Sequence, residues 1–297
     1  MRLKNLPFKL ESELYRSCYR LSGRKPLSAP YLSGDGFRSL CSHFYEGESR
    51  ELFDPLAVRP GELVFCEAWL LREFLGGPAR EIACPFSAIS HNGDPNLDSA
   101  ILPLLPSRLH RLFSQNALVR DERVVPLPIG LENRRLHYNG VTRDFDALRR
   151  RRIEKRPRIL SAFTVGTNAA VRSRALEELS AGPFHDRVER MNSRAYRNVA
   201  ADYMFIASPP GNGVDCHRTW EAMYLRSVPI VLRSSLTERF AELGLPLLLV
   251  DSYAEVSRLD EEALRSAYEK LAPAFASETL WFGYWERTIR AQAEGKD

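Results

Sequence analysis

The chain concentrates its chemistry in one stretch, Ser208-Pro209-Pro210-Gly211-Asn212-Gly213-Val214-Asp215-Cys216-His217-Arg218-Thr219-Trp220-Glu221. It lies between an apolar run at Tyr203–Ala207 and another at Pro229–Leu232, giving the order strand, loop, helix, strand. Gly211 and Gly213 permit close backbone approach and positive φ angles, and the loop empties into a helix that starts near Asp215 or Cys216. A helix start presents free N–H groups and a partial positive charge, which suits a phosphate. Arg218 adds a planar guanidinium matched to a diphosphate. Glu221 falls one helical step on, beside Arg218 and His217, where a carboxylate can accept ribose hydroxyls. Ser208, Asn212 and Asp215 complete the expected binding loop. The spacing is neither G-x-G-x-x-G nor G-x-x-x-x-G-K-[ST]. The plain alternative is ordinary turn chemistry, with Arg218 and Glu221 as a surface ion pair.

Three titratable residues of the first half follow glycine-bearing or strand-end positions: Asp35, His91 and Asp94. Any of them can serve as a general base if the loops converge on a cleft, since partial desolvation moves such groups toward the working pH. Asp35 can equally cap the helix that follows, and Asn92-Gly93-Asp94 can be a turn. Asp144-Phe145-Asp146 has the spacing of a metal-binding pair but precedes Arg149-Arg150-Arg151-Arg152, so its carboxylates are expected to pair with those arginines and no metal site is assigned. His43, His110, His137 and His185 lack ligand-spaced partners. Trp220, Met223 and Tyr224 share the core-facing side of their helix and are expected to pack. The five cysteines, Cys18, Cys41, Cys66, Cys84 and Cys216, are scattered and read as reduced thiols.

The elements that must position these groups are short apolar runs. Strands are expected at Leu63–Cys66, Phe86–Ser90, Leu109–Phe113, Val124–Pro128, Ile159–Val165, Tyr203–Ala207, Pro229–Leu232 and Pro246–Val250. Helices are expected at Ala68–Leu75, Ala169–Leu179, Ser193–Ala200, His217–Arg226, Leu236–Leu243, Glu261–Leu271 and Leu280–Ala293. Strands separated by helical stretches imply right-handed crossovers and parallel sheets, with ligands at the carboxyl ends of the strands. Residues 143–158 are highly charged and are read as a linker. This divides the chain into a first Rossmann-like domain, 1–142, a second, 159–275, and a final helical segment, 276–297, able to return over the first.

The 297 residues carry 42 Lys+Arg against 38 Asp+Glu, so the charge of +4 is too dilute for a dedicated nucleic-acid protein. The N-terminal Met1–Arg16 is broken by charge before a signal-peptide core forms, and no later run is long enough to span a bilayer. A cytoplasmic protein is expected. The arginine run allows a peripheral contact with anionic lipid at the inner face of a membrane.

The long stretch from Ser208 to Ala222, followed by Val228-Pro229-Ile230-Val231, resembles the exostosin-like glycosyltransferases, whose pattern is a Pro/Gly-bearing loop, Asp-x-His-Arg-x-Trp-Glu-Ala and a Pro-Ile/Val-Val strand. Looser likeness extends to Ser33-Gly34-Asp35, His91-Asn92-Gly93-Asp94, Gln115-Asn116 and Pro126-Leu127-Pro128-Ile129-Gly130-Leu131-Glu132-Asn133. The sequence departs from the family at Arg226-Ser227, where Gly-Cys is usual. The resemblance implies a GT-B fold: two Rossmann-like α/β domains facing a cleft, with a nucleotide-sugar donor, expected to be a UDP-sugar, on the second and a glycan or lipid-linked acceptor on the first. It implies metal-independent glycosyl transfer, without cofactor, in building a polysaccharide or similar glycan. The alternative is a catalytically silent nucleotide-sugar binding module.

Overall fold

The computed structural model describes residues 10, 13, 14, 17, 27–135, 138–189 and 191–293. Cys18, His137 and most of the N-terminal segment read for a signal lie outside the described residues.

The protein is α/β, built on two five-stranded parallel sheets. The first contains β1 (His43–Tyr45), β2 (Leu63–Glu67), β3 (Phe86–His91), β4 (Leu109–Gln115) and β5 (Val124–Leu127), in that spatial order. The second contains β6 (Arg156–Ser161), β7 (His185–Arg187), β8 (Tyr203–Ala207), β9 (Val228–Leu232) and β10 (Leu248–Val250), ordered β10-β9-β8-β6-β7. The helices are α1 (Gly34–Arg38), α2 (Leu71–Gly76), α3 (Pro78–Glu81), α4 (Arg143–Arg149), α5 (Ala169–Ser180), α6 (Ser193–Ala200), α7 (His217–Tyr224), α8 (Ser235–Glu242), α9 (Ala254–Ser257), α10 (Glu261–Leu271) and α11 (Phe282–Ala293).

The central strands read as apolar runs because both of their faces are covered: every residue of β3 and of β8 is buried. The edge strands β1 and β7 are three residues each and include His43, His185, Asp186 and Arg187, so they give no such signal. The two sheets differ in winding. The first proceeds in one direction, whereas the second reverses between β6 and β8, opening a crevice at their carboxyl ends.

Residues 143–158 are not the featureless linker expected. The backbone from Arg143 is helical, and Phe145 and Leu148 lie on its buried side, so the charged composition hides a core-facing stripe. Asp144 pairs with Arg197 at 3.1 Å and Asp146 accepts a hydrogen bond from Tyr31 Oη at 2.7 Å; among the described residues neither forms an ion pair with Arg149–Arg152, though the Asp146 charge acts on Arg149.

The two halves share one continuous core, in which Phe37, Ile89 and Phe113 join Ile206, Trp220 and Tyr224. Tyr224 Oη accepts from the Leu32 N–H at 3.1 Å and donates to the Leu280 carbonyl at 2.9 Å. In α11, the Phe282 N–H donates to the Pro30 carbonyl at 2.9 Å and the Phe282 ring packs on Phe37, bringing the chain end onto the first half. Among the described residues, no helix is long and apolar enough to cross a membrane.

Candidate functional site

A cleft of about 920 Å³ opens at the β6/β8 crevice. Its floor is Ala162–Val165, which follows β6, and the Gly211–Gly213 loop, which follows β8. Helices α5 and α7 both begin here, and neither of their N-cap residues, Asn168 and Cys216, caps the helix with its side chain. Two arginines join these helix starts. Arg172 Nε and Nη1 donate to the carbonyls of Pro210 and Thr164, at 3.0 and 2.8 Å, and Arg218 Nη2 donates to the Ala162 carbonyl at 3.1 Å. Both guanidinium carbons stand 5.8 Å from the centre of the Phe163 ring. Burial, then the neighbouring Arg218 charge, lowers the pKa of Arg172. Backbone dipoles hold these two like charges together; among the described residues the buried Arg218 Nε has no hydrogen-bond partner and neither arginine makes an ion pair. An anion between them would remove that repulsion.

Glu221 lies at the cleft wall but is not paired with Arg218 on a solvated helix face. Its Oε1 is 3.8 Å from Nη2 of Arg197, which is fully buried and also bonded to Asp144 and the Asn139 carbonyl. Burial raises the Glu221 pKa, opposed by Arg197 and Arg218. The hydroxyl of Tyr196, another lining residue, interacts with Arg218.

The Ser208–Glu221 stretch has a second face that the sequence did not disclose. Asn212 Nδ2 donates to Asp94 at 3.0 Å, the Val214 N–H to Asn96 at 3.2 Å and the Asp215 N–H to Asn116 at 2.9 Å. In return, Asp215 accepts from the Ile129 N–H at 2.8 Å while holding Trp220 Nε1 at 3.0 Å, and His217 Nδ1 donates to the Gly130 carbonyl at 2.8 Å. Much of the expected phosphate loop therefore fastens the two halves together. Burial pushes the Asp215 carboxyl up to about 6 despite these donors. Ser208 is also structural, its Oγ bonded to Thr219 Oγ1 at 2.9 Å. The glycines serve close approach rather than positive φ: a Cβ on Gly213 would stand 2.3 Å from Asn116 Nδ2, and one on Gly211 would stand 2.8 Å from Arg172 Nη2.

A second cavity, about 500 Å³, lies on the first half at the carboxyl ends of its strands and touches the cleft. Asp94, Ile129, Glu132 and His217 line both. Its walls carry Glu46, Glu67, Asp94 and Glu132 against Arg135, with Glu46 paired to Arg38 and Arg135 to Asp35, and Trp69 stands at its edge, 62% exposed. Such an acidic cavity with an aromatic face suits a neutral, hydroxyl-rich ligand better than an anion.

Of the three base candidates, two are committed elsewhere. Asp35 is enclosed, with Arg135 Nε at 2.8 Å and Asn92 Nδ2 at 3.4 Å; the cap of α1 is Ser33, whose side chain accepts from the Gly36 N–H. His91 has both nitrogens engaged: Nε2 donates to the Pro128 carbonyl at 3.1 Å and Nδ1 accepts from the Asn92 N–H at 2.7 Å. Burial drives its pKa down to about 4. Asp94 accepts from Asn212 through Oδ2 and, among the described residues, its Oδ1 has no hydrogen bond, at the seam between the cavities.

The seam adds two groups not considered as bases in the sequence. With Nδ1–H fixed on Gly130, a neutral His217 ring carries its lone pair on Nε2, which bonds to no described residue. Glu132 Oε2 is buried and has no hydrogen-bond partner among the described residues. Arg172, Tyr196 and Arg197 were missed as well; only the first carried a usable signal, lying one turn into the helix after the first strand of the second half. No family model matches the chain, and no curated protein matches it.

Proposed function

We propose that the protein is a glycosyltransferase of GT-B type that takes a nucleotide-sugar, with a UDP-sugar the first to try, and passes the sugar to a hydroxyl of a glycan or lipid-linked acceptor. The observation that carries this reading is Arg172 and Arg218, without an ion pair among the described residues, beside two helix starts not capped by their N-cap side chains, in a cleft that abuts a second cavity. In this reading the diphosphate lies between the two guanidinium groups, Glu221 accepts the ribose hydroxyls, and the acceptor occupies the cavity edged by Trp69. Arg172, Arg218 and the helix N–H groups stabilise the leaving diphosphate as the glycosidic bond breaks. The acceptor hydroxyl reaches the sugar at the seam, where His217 Nε2 takes its proton. A hydroxyl can donate to Glu132 Oε2 before that transfer.

The test is titration calorimetry with UDP and a panel of nucleotide-sugars, followed by assay of nucleotide release with and without acceptor sugars. Saturable binding that Arg218→Ala weakens tenfold or more, together with UDP release, supports the reading. Binding without release under any acceptor would favour the silent module, and the engagement of Asp35 and His91 in structural bonds is the feature that speaks for it. Absence of any nucleotide binding overturns both.

A further inference from the structure

The arginine run takes no part in the cleft. Arg149, Arg151 and Arg152 line a separate cavity of about 280 Å³, together with Lys155, Arg226 and Arg265. Lys155 precedes β6, Met204 lies near the start of β8 and Arg226 precedes β9, so this cavity sits at the amino ends of the strands, across the sheet from the cleft. Glu154 is the single carboxylate in its lining. Arg265 is paired with Glu261 at 2.7 Å, but Arg151, Arg152 and Arg226 form no ion pair with any described residue.

Arg226 itself is held in an unusual conformation. Its φ is +58°, in the left-handed region that favours glycine, and this is one of the two positions where the chain departs from the Gly-Cys of the family it resembles. Its N–H donates to the Met223 carbonyl at 3.0 Å and its carbonyl accepts from Tyr268 Oη at 2.8 Å, so the backbone is fixed from both sides. The other departure, Ser227, accepts from Lys155 Nζ at 2.9 Å while its hydroxyl bonds the Tyr203 carbonyl at 2.7 Å. Burial pushes the Lys155 ammonium down to about 7; Asp202 opposes this and the Arg226 charge adds to it. The first departure thus places a guanidinium at the cavity against the local backbone preference, while the second, with the Ala201 and Tyr203 carbonyls at 2.6 and 3.2 Å, engages all three Lys155 Nζ protons, so Lys155 adds charge near the cavity but no free donor.

We propose that this cavity is a second anion site, separate from the cleft, for a phosphomonoester or diphosphate group. Its volume falls just below the range of whole small-molecule pockets, which fits a phosphate head rather than a complete nucleotide-sugar. Ile153 and Leu225 add an apolar wall, so the phosphate can come from a soluble phosphometabolite or from the headgroup of an anionic lipid whose acyl end leaves along that wall.

The experiment starts from Arg218→Ala protein, in which the cleft contribution is weakened, and compares Arg226→Gly with Arg80→Ala, which removes the same charge from an exposed site elsewhere. Glycine adopts a φ of +58° freely, so Arg226→Gly is expected to melt no lower than its parent. Calorimetry with inorganic pyrophosphate and flotation with phosphatidylglycerol-containing or pure phosphatidylcholine vesicles form the two arms, at constant ionic strength. Pyrophosphate binding weakened at least tenfold by Arg226→Gly and not by Arg80→Ala, with no preference for anionic vesicles, supports the site with a soluble ligand. Flotation with anionic vesicles that Arg226→Gly removes and pyrophosphate displaces supports it with a lipid headgroup. Equal behaviour of the two variants in both arms, or binding of neither probe by the parent, overturns the proposal.

Discussion

Replacement of Glu221 by Gln separates a ribose-binding carboxylate from a merely structural one. The substitution preserves shape but exchanges a charged acceptor for an amide. Arg197, whose Nη2 stands 3.8 Å from Glu221, keeps the closer Asp144 at 3.1 Å and the Asn139 carbonyl, so the buried guanidinium is not left alone. The burial that raises the Glu221 pKa also means that losing the charge relieves a desolvation cost. The two effects oppose each other, and the melting temperature without ligand is expected to shift by no more than about 2–4 °C, equivalent to about 1 kcal/mol for a chain of this size. Donor binding is different, because hydrogen bonds to a charged group are worth about 1.5–3 kcal/mol, or roughly tenfold or more in Kd. The raised pKa adds a pH signature: UDP affinity of the parent falls as pH drops toward that pKa, while Glu221→Gln removes this dependence. Calorimetry with UDP and its 2′-deoxyribose analogue between pH 5 and 8 reads both. A UDP affinity and pH profile left unchanged by the substitution, or full additivity with the missing hydroxyl, would refute the placement of the ribose.

His217→Gln is expected to lower kcat by about 10²–10⁴-fold with UDP affinity little changed, since the imidazole is assigned to proton transfer; loss with Asp94→Asn instead would move the base to Asp94. Gly213→Ala places a Cβ 2.3 Å from Asn116 Nδ2, and Asn116 is itself tied to Asp94 and Asp215, so thermal denaturation is expected to show a loss of about 1–3 kcal/mol. Asp215 has a folded pKa of about 6 against an ordinary 3.8, so its contribution is fully present below pH 3.8 and is lost as pH rises through 6. Denaturant titrations across that window should show a falling stability of up to roughly 3 kcal/mol that Asp215→Asn flattens; an unchanged slope would disprove the shift.

The fold class was legible because parallel strands covered on both faces must be apolar. Phe86–His91 and Tyr203–Ala207 stand out on that ground alone, and the helices at Ser193–Ala200 and Glu261–Leu271 have the expected ends. The edge strands His43–Tyr45 and His185–Arg187 were not legible, since three residues half open to solvent carry no period. Arg143–Arg149 was misread because seven residues with four charges obscure the two, Phe145 and Leu148, that decide the packing. Arg218 and Glu221 line the same cleft because their sequence-local spacing on one helix fixes their common face.

The amino-acid sequence by itself determines the strands, the loop after β8 and the helix that carries Arg218 and Glu221, all of which follow from short-range periodicity and backbone preference. Only the tertiary structure decides what those residues face. The β6/β8 reversal brings Arg172, nearly fifty residues earlier in the chain, beside Arg218. The shared core presses the Asn212–His217 segment against Asp94, Asn116, Ile129 and Gly130, turning an expected phosphate loop partly into a clasp. Contacts within the first half, to Arg135, Asn92 and Pro128, close Asp35 and His91 into structural bonds, while the Gly130 contact leaves His217 Nε2 at the seam. Partners separated by about a hundred residues leave no mark in local spacing, because which donor meets which acceptor depends on sheet order and burial.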